Sequence, residues 1–156
     1  MRRSDKEIES IDEIAELIRK CQVCRIGMSR NDKPYIVPVS FGFDGDCIYF
    51  HTAVKSGLKL EYLAANTEVC FEFEHNVEVV TDDTACEWSF DFQSVIGFGQ
   101  VKELLLDEDK AAGLQQIMKQ YSQTAWDFDG ISLKGLSVWR ITIESMTGKQ
   151  SANFRN

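Results

Sequence analysis

The segment Phe50-His51-Thr52-Ala53-Val54-Lys55-Ser56-Gly57-Leu58-Lys59 gathers the side chains best suited to chemistry. An imidazole, a hydroxyl, two lysines, a serine and a glycine fall where a strand should end and a helix begin. The first turn of a helix leaves backbone N–H groups free and carries partial positive charge. The lysines add full charge, and Gly57 lets the backbone approach a ligand. That set suits a phosphate monoester. The same residues also fit an ordinary strand-to-helix loop, with Ser56 as N-cap and the lysines in solvent.

Other chemistries fit less well. Cys21-Gln22-Val23-Cys24 has C-x-x-C spacing, but no second pair follows to complete four zinc ligands, so core packing is the expected role. No metal site is expected. There is no G-x-S-x-G elbow and no H-E-x-x-H, and the only histidines are His51 and His75. Gly97-Phe98-Gly99 lies within a strand and opens no helix, so it is not a dinucleotide or phosphate loop.

The elements that must position these residues can be read from patterning. Ser10-Ile11-Asp12-Glu13 is a capping box, and Ile11, Ile14, Leu17 and Ile18 give the following helix one apolar face, ending near Cys21. Val23–Ser29 and Tyr35–Phe43 read as strands. Pro38 cannot donate to a ladder, which places the second at an edge or bulge. Asp44-Gly45-Asp46 reads as the turn of a hairpin joining Tyr35–Phe43 to Cys47–Thr52. Ser56–Asn66 reads as a helix, Val69–Phe73 as a strand and Glu74–Glu87 as a polar hairpin or loop. Ser94–Leu106 reads as a strand whose Gly97 and Gly99 mark a bend, a bulge or close approach by a ligand. A helix capped by Asp107 runs to about Ser122, an aromatic-acidic loop follows at Trp126–Gly130, and Leu136–Ser145 is the last strand. Six strands, mostly in hairpin connection, and three helices predict an antiparallel barrel or curved sheet with peripheral helices.

Composition sets outer bounds. The chain has 156 residues, 17 Lys+Arg against 25 Asp+Glu and a net charge of −8. Length, with no linker or repeat, predicts one domain over residues 1–156. The acidic balance argues against nucleic acid, which requires a basic stripe. No apolar run is long enough to span a membrane. The charged N-terminus lacks a signal-like apolar core, and five cysteines, an odd count, point to reduced thiols and the cytoplasm.

Several segments, in this order, resemble the nitroimidazole-resistance branch of the pyridoxamine 5′-phosphate oxidase-like, FMN-binding split-barrel family. They are Pro34-Tyr35-Ile36-Val37-Pro38-Val39-Ser40-Phe41-Gly42-Phe43, Ile48-Tyr49-Phe50-His51-Thr52-Ala53, Gly57-Leu58-Lys59, Asn66-Thr67-Glu68-Val69-Cys70-Phe71, Ser94-Val95-Ile96-Gly97-Phe98-Gly99 and Thr147-Gly148-Lys149, preceded by the charged start at Met1-Arg2-Arg3. The resemblance implies a six-stranded antiparallel split β-barrel that is mainly β, with peripheral helices. It implies a homodimer with flavin at the interface. The strand matching Val37, Pro38, Val39, Ser40 and Phe41 would lie along the flavin ring. The segment matching His51, Thr52, Ala53, Lys55, Ser56, Gly57 and Lys59 would carry the phosphate, and Ser94 would add a polar contact. Here the loop at Val54-Lys55-Ser56 is one residue longer than in the relatives compared, which shifts the phosphate contacts toward Lys55 or Ser56.

The function implied is a flavin-dependent oxidoreductase holding FMN, with FAD as the larger alternative. It would take electrons from NAD(P)H and reduce a small electrophile such as a nitroaromatic compound. The alternatives are a flavin or haem binding or sensor module without turnover, and a structural dimer with a degenerate site. His51 is either a contact to cofactor or substrate or a structural histidine. Arg25 either lines the site or pairs with an acid. Trp139 and Arg140 either close the site or pack a dimer, and Trp88, Trp126 and Phe128 either cover the flavin or pack internally.

Overall fold

Helix α1, Ile11–Lys20, begins where the sequence places it: the Ser10 hydroxyl accepts from the Glu13 N–H at 3.3 Å. Ile14, Leu17 and Ile18 are buried beneath it, while Ile11 stays exposed. The computed structural model describes residues 4–53, 56–128 and 130–154, so Val54, Lys55 and Asp129 lie outside the described residues. Strand β1, Glu7–Ile8, precedes α1. It is followed by β2 (Cys24–Arg30), β3 (Lys33–Val39), β4 (Gly42–Phe43), β5 (Cys47–Ala53), α2 (Leu58–Ala65), β6 (Glu68–Val80), β7 (Ser89–Leu104), α3 (Asp107–Tyr121) and β8 (Leu136–Gln150).

The strands form one sheet in the order β3-β2-β6-β7-β8-β5-β4, with β1 paired to β8 and every pairing antiparallel. Among the described residues, six strands have seven or more residues and two have only two. The sheet is not closed, because β3 and β4 form its two free edges. This is the split barrel, with Pro34 and Pro38 on an edge strand where their missing N–H groups cost least.

Several sequence expectations change, among them the cap of α3, which is Leu106 rather than Asp107, and the start of β7, which is Ser89 rather than Ser94. The Tyr35–Phe43 strand divides. All of β3 pairs with β2 through a turn in which Asn31 and Asp32 both take positive φ, and only Gly42–Phe43 pairs with β5. The chain crosses between the two edges at Ser40–Phe41, where the Phe41 ring is fully buried and its N–H donates to the Tyr121 Oη at 2.9 Å. The polar stretch after Phe73 is largely strand: β6 continues to Val80, with a pairing irregularity between His75 and Glu78. Ladder bonds to β7 outweigh the poor strand propensity of its acidic residues. The last strand also runs five residues further than expected, to Gln150, paired with both β7 and β1. Finally, α2 starts at Leu58, and its N-cap is Gly57 rather than Ser56.

The core lies inside the barrel. Phe41, Phe50, Phe71 and Phe73 are fully buried there, each contributing about 1.5–3 kcal/mol by removal from water. Cys21 and Cys24 are buried in the same cluster, as core packing requires. The Cys21 thiol donates to the Leu17 carbonyl, and burial raises its pKa to about 11. A second, smaller cluster lies where Leu114 and Ile117 of α3 meet Leu104, Leu133 and Val138.

Candidate functional site

Strand β5 alternates, and the alternation sorts its residues. Phe50 and Thr52 point into the barrel, and His51 and Ala53 point out. Thr52 is only 6% exposed, and its hydroxyl accepts from the Trp139 indole N–H at 3.2 Å. A ligand outside the barrel therefore meets Thr52 only through its backbone. Trp139 also has a settled place, in the core with its ring stacked on Phe50.

His51 and Lys59 come together. Partial desolvation lowers the His51 pKa from its ordinary value of 6.5, and the field of Lys59 lowers it further. Burial likewise lowers the Lys59 pKa. Among the described residues no carboxylate pairs with Lys59. Other cations do find acids: Arg30 pairs with Glu61 at 2.7 Å, and Arg25 pairs with Glu72 at 2.9 Å and Glu74 at 3.2 Å. Arg25 thus takes the second of its two sequence readings.

The start of α2 adds backbone donors. Gly57 makes no side-chain cap, and the first intrahelical bond runs from the Glu61 N–H to the Gly57 carbonyl. The N–H groups of Leu58, Lys59 and Leu60 thus precede the helical ladder. Ser56 and Gly57 are exposed, and a Cβ at Gly57 would meet nothing within 4 Å. An uncapped helix start beside an unpaired lysine is a donor set suited to a phosphate oxyanion.

Helix α2 also brings this end of the molecule to β3. The Tyr62 ring lies 5.1 Å from the Tyr35 ring, and Glu61 holds Arg30 at the turn between β2 and β3. Of the five predicted positions on that edge, Val37 is half-buried and packs against the core, while Val39 and Phe41 belong to it. Pro38 and Ser40 are exposed. A flat ring along this edge would meet backbone, Pro38 and Ser40.

Ser94 does not join the group within one chain. It lies on β7 opposite Lys149, whereas His51 lies opposite Val138. Those β8 positions are eleven residues apart, about 36 Å of extended strand. Lys55 falls outside the described residues.

The sequence also hides a feature on the outer sheet face. Ile36, Gly27, Cys70, Phe98 and Ser145 are successive cross-strand partners on β3, β2, β6, β7 and β8. Ile36 and Phe98 are 66% and 56% exposed and rise on either side of the small Gly27 and Cys70. Together with Met28, Pro34 and Val69 they line a groove of about 580 Å³. The run Val95-Ile96-Gly97-Phe98 is apolar on both faces, which is the signal that such a surface exists.

Comparison with known proteins fits this architecture. No curated protein matches the sequence. A candidate 5-nitroimidazole antibiotic resistance protein from Bacteroides thetaiotaomicron superposes with a TM-score of 0.80 at 28% identity, over 92% of this chain and 85% of that one. The flavocytochrome Anf3 from Azotobacter vinelandii superposes with a TM-score of 0.82 at 17% identity, over 97% and 72% of the two chains. An FAD and haem binding protein from Mycobacterium smegmatis does so at 0.80 and 19%, over 97% and 76%. The last two establish the fold alone. The sequence profile of the pyridoxamine 5′-phosphate oxidase family matches residues 10–150, and the chain belongs to that family.

Proposed function

We propose that this protein holds a flavin, FMN in the first instance, and works as an oxidoreductase on a small electrophile such as a nitroaromatic compound, with NAD(P)H as electron donor. The carrying observation is the half-buried, unpaired Lys59 beside His51 at an uncapped helix start. Lys59 and the first N–H groups of α2 would hold the phosphate, His51 would donate to it or to a neighbouring oxygen, and the β3 edge would orient the ring. Bound flavin supplies hydride chemistry, so the protein need only bind, orient and shield. A neutral His51 near pH 7 keeps one ring nitrogen as donor and one as acceptor.

The functional unit in this reading is a homodimer. The separation of Ser94 from His51 supports it, because one flavin reaches both only if two chains contribute. The surface supports it too. The chain exposes 10006 Å², whereas a folded monomer of 17.8 kDa exposes about 8,000 Å². The excess, about 2,000 Å², exceeds what one partner contributes to a standard interface. The groove at Ile36 and Phe98 is the apolar face such contact would cover.

The test is direct. Purified protein mixed with FMN should quench its fluorescence and retain a yellow chromophore through gel filtration, at the mass of two chains. NADH or NADPH should then be oxidised when a nitro compound is present. No quenching and no retained chromophore sinks the flavin reading. The flavocytochrome and haem-binding neighbours favour one alternative, a carrier or sensor. It predicts bound flavin or haem with no oxidation of either nicotinamide. Phe98→Asp should yield monomers if the groove is the contact face.

A further inference from the structure

A second cleft lies where the end of β7 passes into the first turn of α3, and nothing above uses it. Arg140 on β8 is directly opposite Tyr49 on β5 and directly opposite Lys102 on β7. Directly opposite residues share one face of the sheet, so the row puts two cations side by side. Like charges so placed repel and are normally relieved by a carboxylate between them. Here none serves. Neither Lys102 nor Arg140 forms an ion pair among the described residues, and the Arg140 Nε is buried with no hydrogen-bond partner.

Glu103 and Asp109 border the same cleft but pair with neither cation among the described residues, and Asp44, on the Tyr49 side, is already committed. Asp44 accepts the Tyr49 hydroxyl at 2.7 Å on one oxygen and the N–H groups of Asp46 and Cys47 on the other. Arg140 is close enough for its field to reach both Tyr49 and Cys47. Lys102 and Arg140 line a cleft of about 310 Å³ with Glu103, Asp109 and Leu104 to Leu106. Its lip is apolar: Leu105 and Leu106 are 74% and 66% exposed, two consecutive leucines left in water before α3. Gly113 of α3 packs against Tyr49, Leu104 and Val138, which fixes the roof over the neighbouring part of the sheet.

We propose that this cleft binds a small organic acid through its carboxylate, held by Arg140 and Lys102, with its apolar body against Leu105 and Leu106. A guanidinium offers a planar fork that matches a carboxylate, and the adjacent ammonium adds a second charge-assisted bond. Asp109 and Glu103 border the cleft and repel a dianion more than a monoanion, so a carboxylate is favoured over a phosphate. Arg140 thereby takes a role outside both its sequence readings. The site does not depend on flavin.

Equilibrium dialysis with radiolabelled phenylacetate, on the full chain with whatever cofactor it retains, tests this. One equivalent per chain should bind saturably, and 2-phenylethanol, which lacks the charge, should not compete. Arg140→Gln should weaken binding about ten-fold, and Lys102→Gln should weaken it by less. Lys102 is exposed, so its variant folds even if Arg140→Gln does not. Both variants should retain flavin as the parent does, which separates this site from the Lys59 site. Non-saturable uptake, or binding unchanged in Lys102→Gln, overturns the proposal. Tighter binding of phenyl phosphate than phenylacetate overturns the carboxylate assignment.

Discussion

Two glycine-bearing regions of this molecule differ in what stands beside the missing side chain. At Gly97 a Cβ would lie 2.2 Å from the Phe71 ring and 2.5 Å from the Ser145 carbonyl oxygen. At Gly99 it would lie 2.3 Å from the Thr142 carbonyl oxygen. These glycines exist because protein packs against them, where β7 and β8 pass a register shift. At Gly57 a Cβ would meet nothing. Space there lies beside free N–H groups and a cation without an anion. The first region is finished by its own chain, and the second has donors to spare for a ligand.

The contrast can be broken by substitution. Gly97→Ala should have the largest effect on stability, a loss of about 2–3 kcal/mol, because neither the buried Phe71 ring nor the strand backbone can yield cheaply. Urea unfolding measures it, and a loss under about 0.5 kcal/mol would mean the waist of the sheet is less tightly packed than described. Lys59→Ala should show the opposite profile. Unfolding should move by less than about 1 kcal/mol, since a half-buried cation with no partner among the described residues contributes little. Flavin affinity should fall by about ten- to a hundred-fold, the worth of a charge-assisted bond. Fluorescence titration with FMN separates the two effects, and an unchanged dissociation constant would support a degenerate site.

A finer version of the same comparison uses two residues five positions apart, Thr52 and Gly57. Thr52→Val leaves the buried Trp139 N–H without its acceptor and should cost about 1–3 kcal/mol in stability, with flavin binding unchanged. Gly57→Ala should shift stability by less than about 1 kcal/mol, because the added methyl enters open space. If Thr52→Val impairs flavin binding more than stability, the inward assignment of Thr52 is wrong.

What the sequence disclosed follows the range of the forces involved. Local signals were legible. The Ser10 cap, the apolar face of α1, the Asp44–Asp46 turn and the edge position of the proline-bearing strand are each set by neighbours within a few residues. Pairing was harder. Tyr35–Phe43 alternates without interruption, so nothing local marks the crossing at Ser40, which follows from burying Phe41 against Phe73 and Tyr121. The acidic half of β6 reads as loop because its strand state is imposed by β7. For the site, residue types single out the loop between His51 and Lys59, and the structure sets the Lys59 ammonium within reach of the His51 ring at the start of α2. Alternation alone would have turned Thr52 inward, and that test is available to any reader of β5. The groove at Phe98 and the cation pair at Arg140 depend on cross-strand register, which no single segment encodes.

The smallest effect expected is also the most specific to the His51–Lys59 pair. The folded pKa of His51 lies below its ordinary 6.5. Between those two values the unfolded chain binds a proton that the folded chain refuses. Stability from this group is therefore fully present above 6.5 and is lost as pH falls toward the folded pKa. A bound phosphate reverses the preference, because an anion beside the ring favours imidazolium. Flavin binding should then take up a fraction of a proton per site just below pH 6.5, and affinity should rise as pH falls through that window. The phosphate itself takes up a proton near pH 6, which weakens binding in the same range. Comparison with His51→Gln removes that common contribution and leaves the imidazole alone. Calorimetry in two buffers of different ionisation enthalpy reads the proton uptake. If the wild type and His51→Gln take up the same number of protons, the histidine does not face the phosphate, and Lys59 with the α2 amides would hold it without help.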